Sequence, residues 1–280
     1  MAIALAITAA ACWGLSDFLA GLASRRVAVP IVLLLVEGGG LLVVATITVA
    51  SGEPFFTETR DALSAIGGGL AGVLALGCFY RALAIGTMSV VAPISATGAA
   101  LPVVAGVISG DRPSLIAAAG LAAIVIGVVL ASRQEHADAE AAAAGRTAIV
   151  LALISAVGFG GFFVLTNAPA DASVLWTITL ARAAPIPLVA AVVLAQRPRA
   201  RPSRRLALGI AAVGTIDLAA TSLVILANTK GDLSVVGVLG GMYPVATVLL
   251  AAVVLHERLA RLQQVGVVLA LGGIAAVAAG

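Results

Sequence analysis

Charged residues are scarce in this chain. Asp, Glu, Lys and Arg make up 10% of its 280 residues, whereas a typical soluble domain carries about 25%. Hydrophobic residues make up 61% of the sequence, and the mean hydropathy is +1.17. So few charges cannot cover the surface of a soluble fold of this size. The sequence therefore indicates an integral membrane protein.

Cysteine and histidine are also rare, with two residues of each. Cys12 and Cys78 both lie in apolar runs, so we predict no disulfide framework. His136 and His256 lie in or beside loops, far apart in sequence, and the chain has no Asp-rich motif, phosphate-binding loop or His-Glu-x-x-His motif. We therefore predict no metal site, no cofactor and no catalytic residue, and we do not expect an enzyme.

Long apolar runs rich in Ala, Leu, Val and Gly are abundant instead. A run of about 20 such residues crosses a hydrocarbon core of about 30 Å. The runs do not alternate as barrel strands do, so helices must satisfy the backbone in lipid. We predict an all-α integral membrane protein with ten transmembrane helices, here called spans one to ten. The spans are 2–23, 29–50, 62–84, 87–109, 115–131, 147–167, 173–195, 206–229, 232–255 and 261–279.

The two halves of the chain resemble each other. A shift of 145 residues places "ALAIGTMSVV" (82–91) on "ANTKGDLSVV" (227–236). A shift of 146 places Trp13-Gly14 on Phe159-Gly160. Several matches at nearly one offset, in the same order, indicate an internal duplication.

Each half holds five predicted helices, and an odd number makes the second half enter the membrane from the opposite side. The sequence therefore predicts two inverted five-helix repeats, 1–131 and 147–280, joined by a linker loop at 132–146. Secondary transporters often have this layout, with their site near the midplane where the repeats meet.

Two pairs of glycines also correspond between the halves. Gly120 and Gly127 in span five meet Gly266 and Gly273 in span ten at a shift of 146. The members of each pair are two helical turns apart, so they lie near one face. Because small residues allow helices to approach closely in a membrane, we predict close packing of spans five and ten.

Several motifs resemble those of a known family. "CWGLSDF" (12–18) has Trp-Gly early in span one. "YPVATVLLAAVVLHERLARLQQVGVVLALGG" (243–273) combines a proline in span nine, a Glu-Arg hairpin and a glycine-containing span ten, and "SGDRPSLIAAAGLAAIVIG" is a degraded copy with Asp111 in place of the glutamate. In this order, and over the whole chain, they resemble the bacterial EamA family of the drug/metabolite transporter superfamily.

The resemblance implies a basket of helices around a central cavity. It implies export or uptake of small metabolites, amino acids or drugs, driven by an ion gradient or by exchange, and no particular substrate. It also implies cytoplasmic termini. The arginines, however, concentrate in the loops after the odd-numbered spans, and the positive-inside rule then places both termini outside. The sequence leaves these two orientations open.

Four ionisable residues lie well inside the predicted spans. Glu37 and Arg182 lie near the middle of spans two and seven, and Asp217 lies at the middle of span eight. Asp17 lies about four residues, roughly 6 Å, past the middle of span one. A charged side chain at the bilayer centre costs at least a few kcal/mol, so it requires a partner or a water-filled cavity.

Glu37 and Arg182 are related by the shift of 145, so we predict that they pair between the halves, with Asp17 or Asp217 as competitors for the arginine. Arg182 would then attract an anionic group such as a substrate carboxylate. Burial raises a carboxyl pKa and a nearby arginine lowers it, so the least paired carboxylate is the better proton carrier.

We predict that these four residues form a substrate- or ion-binding site, with Trp13 and Tyr243 as candidate cavity-lining side chains. The alternative is structural: a buried ion pair that fixes the helix register, and two aromatic rings that only pack.

Together these features predict a secondary active transporter for a small organic metabolite or drug in the bacterial inner membrane, working by alternating access coupled to protons or exchange. A membrane-embedded enzyme acting on a lipid phosphate, or a channel, is the alternative. The expected partners are the lipid bilayer, the solute, and a proton or counter-substrate. We expect no nucleic acid, because the arginine-rich segment 196–205 fits a cytoplasmic loop. A monomer and a homodimer are both compatible with the sequence.

Overall fold

The computed structural model describes residues 1–101, 114–131, 139–198, 202–228 and 243–279, and these form helices and connecting turns with no strand among them. The helices are α1 (Ala2–Ser24), α2 (Val29–Ser51), α3 (Thr59–Ile85), α4 (Met88–Ala96), α5 (Leu115–Ala131), α6 (Ala139–Ala172), α7 (Val174–Ala183), α8 (Ile186–Gln196), α9 (Arg204–Asn228), α10 (Tyr243–Val254) and α11 (Arg261–Ala279).

Six segments are long and apolar enough to cross a membrane, in the part of the chain that is described. They are Ala2–Ser24, Val29–Ser51, Thr59–Ile85, Ala143–Ala172, Val174–Gln196 and Arg204–Leu223. Helices α5 and α10 and most of α11 are apolar but shorter. The prediction of an all-helical, multi-pass membrane protein is confirmed. Parts of predicted spans four and nine, and the motif residue Asp111, lie outside the described residues.

Proline interrupts predicted span seven. Helix α7 ends at Ala183, and α8 begins at Ile186, with Pro185 at its N-cap and Pro187 in its first turn. Proline has no N–H to donate and clashes with the carbonyl four residues earlier, so it kinks or breaks a helix. The interruption places Arg182 in the last turn of α7, where a cation interacts favourably with the helix dipole.

The middle of the chain differs from the predicted linker loop 132–146. Helix α6 begins at Ala139, eight residues before the predicted start of span six, and residues 132–138 lie outside the described residues. The sequence "AEAAAAG" explains the earlier start, because alanine has the highest helix propensity. The repeat boundaries 1–131 and 147–280 stay a prediction.

Helices α5 and α11 pack closely through their glycines, as predicted. A Cβ atom on Gly120 would lie 2.8 Å from the carbonyl oxygen of Gly273, and one on Gly127 would lie 2.7 Å from that of Gly266. A larger side chain at any of the four positions would push the helices apart. The order of the contacts, with the earlier glycine of α5 facing the later one of α11, makes the two helices antiparallel.

A second set of glycine contacts repeats between the halves. Gly69 of α3 packs on the backbone of Ala181, and Gly214 of α9 packs on the backbone of Val36, so closely that a Cβ atom would collide with the facing carbonyl oxygen. Gly214 lies 145 residues after Gly69, and Ala181 lies 145 residues after Val36. Equivalent residues therefore make equivalent contacts.

Two helix pairs complete this pattern. Helix α1 packs along α9, and helix α3 packs along α6. We call these contacts the α1–α9 seam and the α3–α6 seam. They correspond to each other under the repeat, because α6 follows α1 and α9 follows α3 by the same offset.

Candidate functional site

Arg182 joins the two halves of the chain. Its guanidinium is buried, with Nη1 3.4 Å from Oε2 of Glu37, and its Nη2 donates to Oδ2 of Asp217. The predicted pairing of Glu37 with Arg182 is confirmed. Asp217, predicted as a competitor for this arginine, binds it at the same time. We call Glu37, Arg182, Asp217 and the nearby Asp17 the charge cluster.

The glycines after Glu37 shape this arrangement. Gly39 packs on the backbone of Ala211 in α9, which brings α2 and α9 together. A Cβ atom on Gly40 would lie 2.7 Å from Nη1 of Arg182, so the missing side chain leaves room for the guanidinium. Gly38 has no such neighbour within 4 Å. Two of the three glycines are thus needed for the cluster to form.

Asp17 is the least paired carboxylate of the cluster. Its residue is 8% exposed, and among the described residues it has no hydrogen bond or ion pair. It lies close enough to Asp217 for the two carboxylates to interact electrostatically. Arg182, by contrast, already has two carboxylate partners. Asp17 is therefore the carboxylate of the cluster that is most available to accept a proton or to bind another cation.

Trp13 and Tyr243 lie beside Asp17. Their rings meet edge to face, with centroids 6.2 Å apart and an interplanar angle of 71°. The Tyr243 phenol interacts electrostatically with Asp17. A Cβ atom on Gly14 would lie 2.6 Å from the carbonyl oxygen of Tyr243, and the Thr247 hydroxyl donates to the carbonyl oxygen of Gly14 at 3.2 Å. The Trp-Gly motif thus brings α1 and α10 together and places both rings near the carboxylate.

Tyr80 belongs to the same site and is not among the residues predicted from sequence. Its residue is 2% exposed, and its phenol interacts electrostatically with all four members of the charge cluster. Tyr80 lies near the end of predicted span three, which gives no reason to choose it. One signal does exist: Tyr80 and Tyr243 are the two tyrosines of the chain, and both lie at this cluster.

The charge balance argues against the predicted role of Arg182 as receptor for a substrate carboxylate. Two carboxylates, those of Glu37 and Asp217, bind the guanidinium, and a third, that of Asp17, lies near Asp217. A substrate anion would have to displace one of these carboxylates and approach the others. The cluster as a whole is therefore suited to a cation.

A second polar contact joins the halves outside this cluster. The Glu257 carboxylate accepts hydrogen bonds from the backbone N–H of Met88 (3.1 Å), the backbone N–H of Ser89 (3.0 Å) and the Ser89 hydroxyl (2.9 Å). Nη2 of Arg25 lies 3.5 Å from the same carboxylate. Glu257 thereby satisfies two unpaired N–H groups at the start of α4. We call this contact the clasp.

A cavity of about 430 Å³ lies beside the clasp. Residues from both halves line it, among them Thr87, Val90, Ile149, Arg258 and Gln263. No metal-binding group of three His, Cys, Asp or Glu side chains occurs in the described ranges.

Comparisons with known proteins agree with the repeat and the fold. The EamA-like transporter family matches the chain twice, over residues 1–133 and 146–279, two segments that begin 145 residues apart. A solved crystal structure, described only as that of a protein, is similar over 99% of this chain and 96% of its own, with a TM-score of 0.66 and 20% identity. No curated protein matches the sequence. The family match covers nearly the whole chain, and the chain belongs to the EamA-like transporter family.

Proposed function

We propose that the protein is a secondary active transporter that moves a small organic metabolite or drug across the bacterial inner membrane by alternating access. The charge cluster carries this proposal. A structural ion pair needs one acid for one arginine, whereas this cluster has two acids on Arg182 and a third, Asp17, beside Asp217. Charges inside a membrane are costly and mark the paths of substrates and ions.

Alternating access requires two arrangements of the same chain, and inverted repeats provide them. Two observations support ten spans arranged as inverted five-helix repeats. Helices α5 and α11, which correspond between the halves, are antiparallel and meet through corresponding glycines. The contact of Gly69 with Ala181 has its counterpart in that of Gly214 with Val36. When the two repeats exchange conformations, a site that was open to one side of the membrane becomes open to the other side.

Proton coupling is assigned to Asp17. Its carboxylate is buried without a cationic partner among the described residues, so protonation removes a poorly compensated charge. Glu37 and Asp217 both have Arg182 as a counter-charge. Exchange of one solute for another is the alternative form of coupling, and the experiment below separates the two.

The clasp is assigned as the contact that keeps one end of the transporter closed. Opening at this end must separate Glu257 in the second half from Ser89 and Arg25 in the first. The cavity of about 430 Å³ lies beside the clasp and is lined by residues of both halves, as expected near a contact that opens.

Solute-driven proton flux tests the proposed function. The purified protein is reconstituted in liposomes containing a pH-sensitive dye and exposed to amino acids, nucleobases and drug-like cations. We expect at least one solute to drive proton flux in the wild type. Asp17→Asn should abolish the flux, whereas Asp171→Asn, a change at an exposed acid near the end of α6, should retain it. Uptake that requires a second solute and moves no protons would support exchange and overturn the role of Asp17.

Cross-linking tests the clasp. In a background without Cys12 and Cys78, cysteines at positions 89 and 257 are oxidised to a disulfide. We expect the oxidised protein to be inactive and the reduced protein to recover transport. Full activity in the oxidised state would show that this end need not open.

A further inference from the structure

We propose that Asp17, Tyr80 and Tyr243 bind the protonated primary amine of the transported solute. This inference rests on the proposed function and adds the chemical class of the substrate. Asp17 would form the ion pair, and the two phenol oxygens would accept further hydrogen bonds from the ammonium group.

The charge of the site is the first argument. Arg182 is paired with Glu37 and Asp217, which leaves Asp17 without a counter-charge among the described residues. A buried carboxylate needs a compensating partner, because burying an unpaired charge is costly. A substrate ammonium group supplies that partner, whereas a substrate carboxylate would add a fourth negative charge.

The exposure of the polar atoms is the second argument. Asp17 and Tyr80 are 8% and 2% exposed, and neither side chain has a hydrogen bond within the described ranges. In those ranges, no side-chain nitrogen or oxygen is both sealed from accessible space and without a hydrogen-bond partner. The carboxylate of Asp17 and the hydroxyl of Tyr80 therefore keep some contact with accessible space. Unpaired oxygens that remain accessible provide acceptors for a ligand.

The number of acceptors favours a primary amine. An alkylammonium group has three N–H donors, and Asp17, Tyr80 and Tyr243 offer at least as many acceptor oxygens. The Tyr80 and Tyr243 phenols both interact electrostatically with Asp17, so both lie near its carboxylate. The Trp13 ring against Tyr243 adds an aromatic face, which attracts cations. A quaternary ammonium group would keep the attraction to the ring but lose every hydrogen bond.

Tryptophan fluorescence provides the test, because the chain has two tryptophans. Trp176 lies elsewhere, with its ring against Phe55 and its indole N–H donating to the Glu53 carbonyl oxygen at 3.0 Å. In the full-length Trp176→Phe variant, Trp13 is the remaining tryptophan. The detergent-solubilised protein is titrated with 2-phenylethylamine, its N,N,N-trimethyl derivative and 3-phenylpropionate.

We expect 2-phenylethylamine to change the Trp13 signal saturably, its trimethyl derivative to bind several-fold more weakly, and 3-phenylpropionate not to bind. Asp17→Asn should weaken amine binding at least about tenfold, the effect of losing a hydrogen bond to a charged group. Tyr80→Phe keeps the ring, removes one acceptor, and should weaken binding several-fold. The control Asp171→Asn should leave it unchanged.

Three results would overturn the assignment: 3-phenylpropionate binding as tightly as the amine, the trimethyl derivative binding as tightly as the amine, or Asp17→Asn and Tyr80→Phe binding the amine like the parent protein. Thermal unfolding of both variants confirms that they are folded before titration. Because binding is measured without a gradient, amine binding in a protein that moves no solute would contradict only the proposed function. Transport of solutes without an amine would contradict only this assignment.

Discussion

The α1–α9 and α3–α6 seams correspond under the repeat and differ in their chemistry. In the α1–α9 seam, Asp17 and Asp217 lie close together. In the α3–α6 seam, Gly72 corresponds to Asp217, and a Cβ atom there would lie 3.0 Å from the Phe162 ring. Asp17 falls on Phe162 at a shift of 145 and on Phe163 at a shift of 146. The contact is therefore acidic in the α1–α9 seam and apolar at the corresponding position of the α3–α6 seam.

This difference separates what the repeat needs for folding from what it needs for transport. Equivalent glycines hold the helix contacts beside these seams: Gly69 packs α3 on α7, and Gly214 packs α9 on α2. Asp17 and Asp217 lie close together in the α1–α9 seam, whereas Gly72 and Phe162 meet at the corresponding place in the α3–α6 seam. Arg182 stands where the first half has Glu37. The duplication therefore kept the glycine contacts, while the two halves differ in the charged residues that they carry.

Of the changes considered, we expect removal of Arg182 to have the largest effect on transport and stability. Arg182→Ala leaves the buried Glu37 and the partly buried Asp217 without a counter-charge, and breaking a buried ion pair typically costs about 3–5 kcal/mol. We expect loss of transport in liposomes and a large drop in the thermal unfolding temperature. Arg205→Ala, a change at an exposed arginine in the first turn of α9, is the control and should behave as the wild type. Normal transport by Arg182→Ala would show that the cluster is structural.

Alanine at the two equivalent glycines should weaken the contacts of α3 with α7 and of α9 with α2 by similar amounts. Gly69→Ala and Gly214→Ala each place a methyl group against a carbonyl oxygen, and overpacking of this kind costs about 1–3 kcal/mol. Unfolding temperatures of the two variants provide the measurement. Because Gly214 packs on Val36, next to Glu37, its variant should also lose transport, whereas Gly69→Ala should retain more. A much larger loss of stability in one variant than in the other would contradict the equivalence of these two contacts.

We expect the smallest effect on stability from alanine substitutions at two neighbouring glycines of α2, Gly39 and Gly38. The Gly38 variant serves as the control for the Gly39 variant. Gly39→Ala would collide with the backbone of Ala211, whereas Gly38→Ala meets nothing within 4 Å. We expect Gly39→Ala to lower the unfolding temperature and Gly38→Ala to leave it unchanged or raise it slightly, since alanine favours helix more than glycine does. Equal effects of the two changes would contradict the packing described for α2 and α9.

The sequence predicts the fold and part of the site, for identifiable reasons. Composition and run length predict a helical membrane protein, and the offset of 145 predicts that Glu37 meets Arg182. The sharing of Arg182 with Asp217 depends on the rotation of α9 about its axis, which a periodic apolar sequence does not determine. Tyr80 enters the site only because α3 packs beside the charge cluster. The number of acids that bind Arg182 is likewise a property of the packing, which the sequence does not determine.

Transport by one matched pair of variants tests whether the acidic α1–α9 seam carries the transport site. Asp17→Asn changes the acidic seam by one atom, and Phe162→Leu changes the apolar seam while keeping it apolar. Both are reconstituted in liposomes with the solute that gives the largest proton flux in the wild type. We predict that Asp17→Asn abolishes the flux without lowering the unfolding temperature, and that Phe162→Leu retains most of it. Equal losses in both variants, or full flux in Asp17→Asn, would contradict the conclusion that a single acidic seam carries the transport site.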